Sequence, residues 1–314
     1  MNLFRFAVAT LAATFVLLLI GGTVNPTGSS LACPDWPLCY GQVFPEMTGG
    51  VLYEHTHRLA ATMVGLMTVI LAVWIARERK DLRTFGFIAV ALVIVQGVLG
   101  GITVLLKLPL AVSATHLALS MFFFSYLIYL CFRLWPGADS DPTAHSGADA
   151  PSFAARTSQS QREPSPAPRT WAGIAAIAVY LQIFLGALVR HTGSGRTCGA
   201  DYILCQGVLL PSWGPGHIHM LHRFAGLVVL AIVAVASVKT IRDGRNVGRP
   251  LATHLAAAAT PTALLQIVLG AITVASAIGI FEVTLHLGVG ALLLGIFVAA
   301  YLAMGPRGYG RREA

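Results

Sequence analysis

Residues 85–105 read FGFIAVALVIVQGVLGGITVL, 21 residues without a charged side chain. The run is apolar on every face and shows none of the alternation that marks a half-buried strand. A helix rises about 1.5 Å per residue, so this one spans roughly 30 Å, the thickness of a bilayer's hydrocarbon core. Seven comparable runs lie at roughly 4–24, 52–76, 112–134, 171–190, 218–238, 251–275 and 282–303. Of the 314 residues, 56% are hydrophobic and 11% charged. A soluble domain carries about 25% charge, so lipid must solvate much of this surface. In lipid only helices and closed barrels satisfy the backbone. The expected fold class is all-α integral membrane, with eight transmembrane helices. The first run follows Arg5 as a secretory signal would, but it is long for a signal and related sequence recurs later, so it is read as a spanning helix.

The same stretch also divides the chain. Gln96–Leu105 (QGVLGGITVL) and Gln266–Ala275 (QIVLGAITVA) agree at seven of ten positions. Each glutamine precedes a histidine by 20 residues, His116 and His286. Thr27-Gly28-Ser29 recurs as Thr192-Gly193-Ser194, Cys33 as Cys198, and His57-Arg58 as His222-Arg223, each 165 positions on. Polar landmarks that keep order and offset are not shared apolar composition. The expected architecture is two tandem four-helix bundles, related as parallel repeats by a pseudo-twofold axis along the membrane normal. The units are 1–135 and 171–304, joined by a linker at 136–170 and followed by a basic tail at 305–314.

Net charge is +8, which could suggest nucleic acid, but the distribution gives orientation instead. Arg77, Arg79, Lys80 and Arg83, then Lys239, Arg242, Arg245 and Arg249, then Arg307, Arg311 and Arg312 all fall on one side of an eight-pass chain. The positive-inside rule makes that side cytoplasmic, with both termini. The linker, rich in Pro, Ser and Ala, lacks the apolar content to fold alone; His145 within it is read as a solvated bystander.

Histidine inside a membrane is costly and marks function by default. His57, His116, His222 and His286 each stand near the start of an even-numbered helix, so all four are expected at one depth. Two imidazoles from two helices at one level are what axial ligation of a haem iron requires. Zinc is the other metal reading, with His219 beside His222, or Glu54 beside His57, at i, i+3. Gly97, Gly100, Gly101 and Gly270 leave room for a flat macrocycle or for close helix packing. His55, His191, His217 and His219 are expected at solvated helix ends. Arg58 and Arg223 read either as contacts to anionic haem propionates or as ordinary interfacial arginines. Cys33/Cys39 and Cys198/Cys205 lie in loops on the side that permits disulfides, and two structural disulfides are expected. A redox role for the first pair stays open. Cys131 reads as a packing residue.

The combination of Glu54-His55-Thr56-His57-Arg58, the His116 and His286 helices, His222-Arg223 and the two cysteine pairs resembles the haem A synthase family. The resemblance covers nearly the whole chain apart from 136–170. It implies an enzyme, a membrane oxidoreductase that converts haem o to haem A for terminal oxidases by oxidising the C8 ring methyl to a formyl group. It further implies a haem b cofactor ligated by His222 and His286, a substrate haem held by His57 and His116, and a contribution to activity from Glu54. The implied partners are haem o, the haem o synthase that supplies it, an electron donor or acceptor of unstated identity and the lipid of the cell (cytoplasmic) membrane; a homo-oligomer is compatible and nucleic acid is not involved. The residues themselves agree with unequal halves: Glu54 stands three before His57, whereas His219 stands three before His222. A carboxylate one turn from its histidine can accept a proton or stabilise positive charge; it can also be a helix-start acid. The competing classes are a di-haem electron-transfer protein and a haem transporter or chaperone.

Overall fold

A computed structural model describes residues 1–136, 166–199, 201 and 203–305, with the backbone alone at 166–168. Its helices are α1 Leu3–Val24, α2 Gly49–Glu78, α3 Arg83–Leu105, α4 Leu110–Leu134, α5 Pro166–His191, α6 Pro215–Asn246, α7 Pro250–Ala275 and α8 Ile280–Ala303. All eight are long and apolar enough to cross a membrane. The protein is a multi-pass membrane protein, and the described residues contain no strand beyond two isolated bridges. Most of the segment read as linker, including His145, and the tail beyond Gly305 lie outside the described residues.

Helix boundaries follow local chemistry. Asn2 caps α1 by accepting the Arg5 N–H at 2.9 Å. Pro215 and Pro250 open α6 and α7, where the missing N–H costs nothing. The same tolerance lets α5 begin at Pro166, five residues inside the stretch expected to be linker. α2 and α6, with 30 and 32 residues, are about 45–48 Å long and reach beyond the hydrocarbon core into the headgroup layers.

Each four-helix unit closes on itself. α1 packs on α2, α2 on α3, α3 on α4 and α4 on α1; α5 packs on α6, α6 on α7, α7 on α8 and α8 on α5. The two rings meet where α8 touches α1 and α4, and α4 touches α5. There the helices interlock through glycine. Gly22 faces Leu287 and Thr284, Gly288 faces Leu19, and Gly295 faces Phe124 and Ile128. The absence of a Cβ lets these backbones approach closely, the usual device where lipid offers no hydrophobic drive to associate. One apolar core, containing Met121, Phe124, Leu294 and Phe297, runs across this seam; another, containing Leu71, Ile75 and Leu130, belongs to α1–α4 alone.

The turns α3–α4 and α7–α8 are built alike. Lys107 and Leu108 take φ of 58° and 63°, and Ala277 and Ile278 take 53° and 69°. Leu108 N–H bonds Thr103 O at 2.7 Å and Ile278 N–H bonds Thr273 O at 2.9 Å, closing each helix end. These turns deliver His116 and His286 to the same register, six residues into α4 and α8.

Candidate functional site

Each of the four candidate histidines rests on a glycine of the preceding odd-numbered helix. A Cβ at Gly21 would stand 2.8 Å from His57 Cε1, at Gly100 3.2 Å from His116 Cε1, at Gly186 3.1 Å from His222 Cε1 and at Gly270 3.1 Å from His286 Cε1. Any larger residue would push the ring aside, so glycine sets both the depth and the tilt of the imidazole. Gly100 and Gly270 were read as leaving room for a macrocycle or for close helix packing; each receives the histidine of the neighbouring helix. Gly101 instead receives the indole of Trp36, and nothing approaches Gly97 within 4 Å. Gly21 and Gly186 were not singled out by the sequence reading, although their spacing of 165 residues matches the other repeated landmarks.

A glutamine one turn before the glycine steadies three of the four. Gln96 Nε2 donates to His116 O at 2.9 Å, Gln182 Nε2 to His222 O at 2.9 Å and Gln266 Nε2 to His286 O at 2.8 Å. The same amide approaches the ring, at 3.1 Å from His222 Nδ1 and 3.4 Å from Nε2 of His116 and His286. At the fourth histidine the matched position is Leu17, 165 residues before Gln182. His57 and His116 lie within electrostatic reach of each other, as do His222 and His286.

The donor set fits a haem. Nδ1 of His57, His116 and His286 is buried without a hydrogen-bond partner, and so is Oε1 of Gln96, Gln182 and Gln266. Buried polar atoms are normally satisfied, and Nδ1 of His55 and His219 is unpartnered as well; what suits a haem iron is the pair of imidazoles from two helices in each ring. Zinc fits less well. Among the described residues the one cluster close enough to hold a metal is Cys33, Cys39 and His55, within 4.8 Å of one another, and its two sulfurs are joined in a disulfide. His219 does not join His222 in such a cluster.

Both expected disulfides are present, Cys33–Cys39 and Cys198–Cys205, and Cys131 is a buried free thiol. The first disulfide loop is tied to α2 by the candidate acid and its arginine. Cys33 N–H donates to Glu54 Oε2 at 2.9 Å, and Arg58 Nη2 pairs with Glu54 Oε1 at 2.6 Å. Arg58 also donates to the carbonyls of Asp35 at 2.7 Å, Leu38, and Cys33 at 3.3 Å. Asp35 in turn accepts from Tyr40 N–H at 2.7 Å and Gly41 N–H at 2.8 Å. The Gly41 bond, with Tyr40 and the Arg58 charge adding to it, holds the Asp35 carboxyl below its ordinary range. In the second half Arg223 donates to Asp201 O at 2.7 Å, and the position of the acid is taken by His219.

Two histidines expected at solvated helix ends are buried. His55 is 3% and His219 4% exposed, because the disulfide loops fold down over them. His55 Nε2 bonds Val43 O at 2.8 Å. Its counterpart in the second half is Met220, which packs on Cys198 and Cys205.

Comparison with known proteins places the chain in a family. A family model for cytochrome oxidase assembly proteins, COX15-CtaA, matches residues 4–298. A protein named heme A synthase from Symbiobacterium thermophilum is 31% identical over 232 residues, 71% of this chain and 72% of that protein. One from Bacillus licheniformis is 31% identical over 248 residues, 76% and 75% of the two chains. One from Geobacillus kaustophilus is 27% identical over 288 residues, 90% and 84% of the two chains.

Proposed function

The chain belongs to the family of cytochrome oxidase assembly proteins, and from that premise we propose that it is a haem A synthase, a membrane oxidoreductase that oxidises the C8 ring methyl of haem o to a formyl group. The observation that carries the reading is the pairing of four glycine-seated histidines in two rings whose disulfide loops differ. The names of the relatives in three bacteria support it.

In this reading the units 1–135 and 171–304 have separate tasks. His222 and His286, each steadied by a glutamine, hold a permanent haem b. His57 and His116 receive haem o, and His57 lacks the glutamine that would fix it. Bound haem b supplies one-electron redox chemistry. Glu54 is the acid–base candidate, one turn from His57 and held by Arg58 and the Cys33 N–H. Four of the five N–H donors of Arg58 face the loop and Glu54, which leaves Nε for a propionate; Arg223 takes the corresponding place beside haem b. The pseudo-twofold repeat is supported by the matching rings, turns and glycine seats. The basic ends of α2, α3, α6 and α7 favour a cell-membrane orientation with that side and both termini cytoplasmic. The haem o synthase and an electron donor or acceptor are the partners this chemistry needs.

The test is expression of the full chain with a source of haem o, followed by extraction and chromatography of the haems. Haem A above the level of an empty-vector control is expected. Two bound haems with no product would overturn the reading in favour of an electron carrier, and unmodified haem passed between membranes would favour a transporter.

A further inference from the structure

The two outer loops share a second motif that the haem chemistry does not use. Residues 39–47 read CYGQVFPEM and residues 205–213 read CQGVLLPSW, with cysteine, glycine and proline in matched places. Each opens with the same tight hairpin. Cys39 bridges Gln42 and Cys205 bridges Val208. The turn residues Tyr40–Gly41 have φ of 52° and 69°, and Gln206–Gly207 have 56° and 82°. Positive φ at both positions is the two-residue turn that matches the twist of paired strands. A hairpin this short then turns an apolar pair outward, Val43–Phe44 in one loop and Leu209–Leu210 in the other. Phe44 is 79% exposed and Leu210 59%; Trp213, just beyond, is 85% exposed.

Exposed aromatic and aliphatic tips would be a liability in water. Their height along the helices says what meets them. α2 has 30 residues, about 45 Å, against a hydrocarbon core of about 30 Å, so with equal overhang its first roughly 7 Å lie in the headgroup layer. His55 is six steps into α2, about 9 Å from its start, and it holds Val43 O at 2.8 Å. The tip is thus pinned beside the boundary between headgroups and acyl chains. In the second loop His217, two steps into α6, holds Pro211 O at 3.3 Å, which sets Leu209–Leu210 in the headgroup layer. Charge is nearly absent: Glu46 is the one ionisable acid or base with a formal charge in 39–47, and 203–213 has none. The patches also continue the lipid-facing side of the helices, where Leu52 and Leu221 are exposed.

We propose that Val43–Phe44 and Leu209–Leu210 with Trp213 are paired wedges that insert into the lipid leaflet on the disulfide side. Their partner is the headgroup layer and its boundary with the acyl chains, where aromatic residues are favoured. Each wedge fastens its disulfide loop to the bilayer above its own histidine pair. The test places the photo-reactive residue p-benzoylphenylalanine at Phe44, Leu210, the lipid-exposed Ile177 of α5 and the buried Phe297 of α8, in the full chain within native membranes. Mass spectrometry then identifies the adducts, and non-reducing peptide mapping verifies both disulfides. Lipid adducts at 44 and 210 at a yield within about threefold of position 177, and none at 297, are expected. Chain-to-chain adducts at 44 or 210, or no adducts there while position 177 yields them, would overturn the proposal.

Discussion

The two four-helix rings share a cradle and differ in how the cradle is closed. In both, an imidazole lies on a bare glycine and a disulfide loop folds over the helix that carries it. In the second ring both histidines are held by glutamine amides, and the loop packs on Met220 through sulfur and carbon. In the first ring one histidine has Leu17 where a glutamine would be, and an acid–arginine pair ties the loop down. Trp36 lies against Gly101, whereas the matched position in the second ring, Ala271, already carries a methyl group. The two rings agree at the glycine seats, and they differ at the loop and at one imidazole. Under the proposed function, that difference separates a ring that keeps its haem from one that exchanges it.

Four tests sharpen or break this contrast. The largest effect is expected at the ligands. His222→Ala or His286→Ala should abolish the low-spin haem b spectrum of the purified protein, while His57→Ala leaves it in place. An unchanged spectrum in either second-ring variant would remove the assignment of a permanent haem to that ring.

Next is Glu54→Gln. Haem b content should stay near that of the parent, and haem A formation should fall by roughly 10²-fold or more, the usual contribution of a positioned acid or base. Gln keeps an acceptor for the Cys33 N–H but loses the charge that faces Arg58. Full product yield at equal protein level would make Glu54 a loop fastener only.

A smaller effect is expected from exchanging the glutamine. Gln182→Leu copies Leu17 into the second ring and removes bonds to the His222 carbonyl and ring. Hydrogen bonds of this kind contribute about 1 kcal/mol, so haem retention measured by transfer to an apo-acceptor should weaken roughly fivefold. Unchanged transfer would mean that the glycine seat alone sets affinity.

The smallest concerns Asp35. Its carboxyl is held below the ordinary value of 3.8 by Gly41 and Tyr40 N–H groups and the Arg58 charge. A depressed pKa contributes order that is fully present above 3.8 and lost as pH falls through the lower folded value. Hydrogen exchange at Tyr40 and Gly41 should therefore be steady from neutral pH to about 4 after correction for intrinsic rates, and should rise below that. Asp35→Asn should show the raised exchange at all pH values; protection equal to the parent would show that the hairpin holds without its acid.

Much of this was legible in the chain because the membrane imposes simple rules. Eight apolar runs became eight helices, and Cys33/Cys39 and Cys198/Cys205 became two disulfides. The glycine seats escaped because Gly21 and Gly186 sit in runs where glycine usually means close helix packing; only the matched offset to His57 and His222 could have raised them. His55 and His219 looked solvated because a histidine near a helix end normally is; the first loop is placed by Arg58 and its carbonyl partners and the second by Arg223 and Asp201 O, contacts 20–25 residues away in the chain. The start of α5 at Pro166 was hidden by composition, since the prolines that suggest a linker are also tolerated in a helix's first turn.

The interlocked seam between the rings, Gly22 and Gly288 against Leu287 and Leu19, has a consequence for spacing. A joint packed on bare backbone has no slack through which one ring could slide against the other. The spacing of the two histidine pairs is then set by this joint, so a substitution at Gly22 or Gly288 that parts the helices would also part the two pairs. The two loops lie outside this joint and are fastened separately, the first by Glu54 and Arg58 and the second by Arg223 and Met220, each beside its own disulfide.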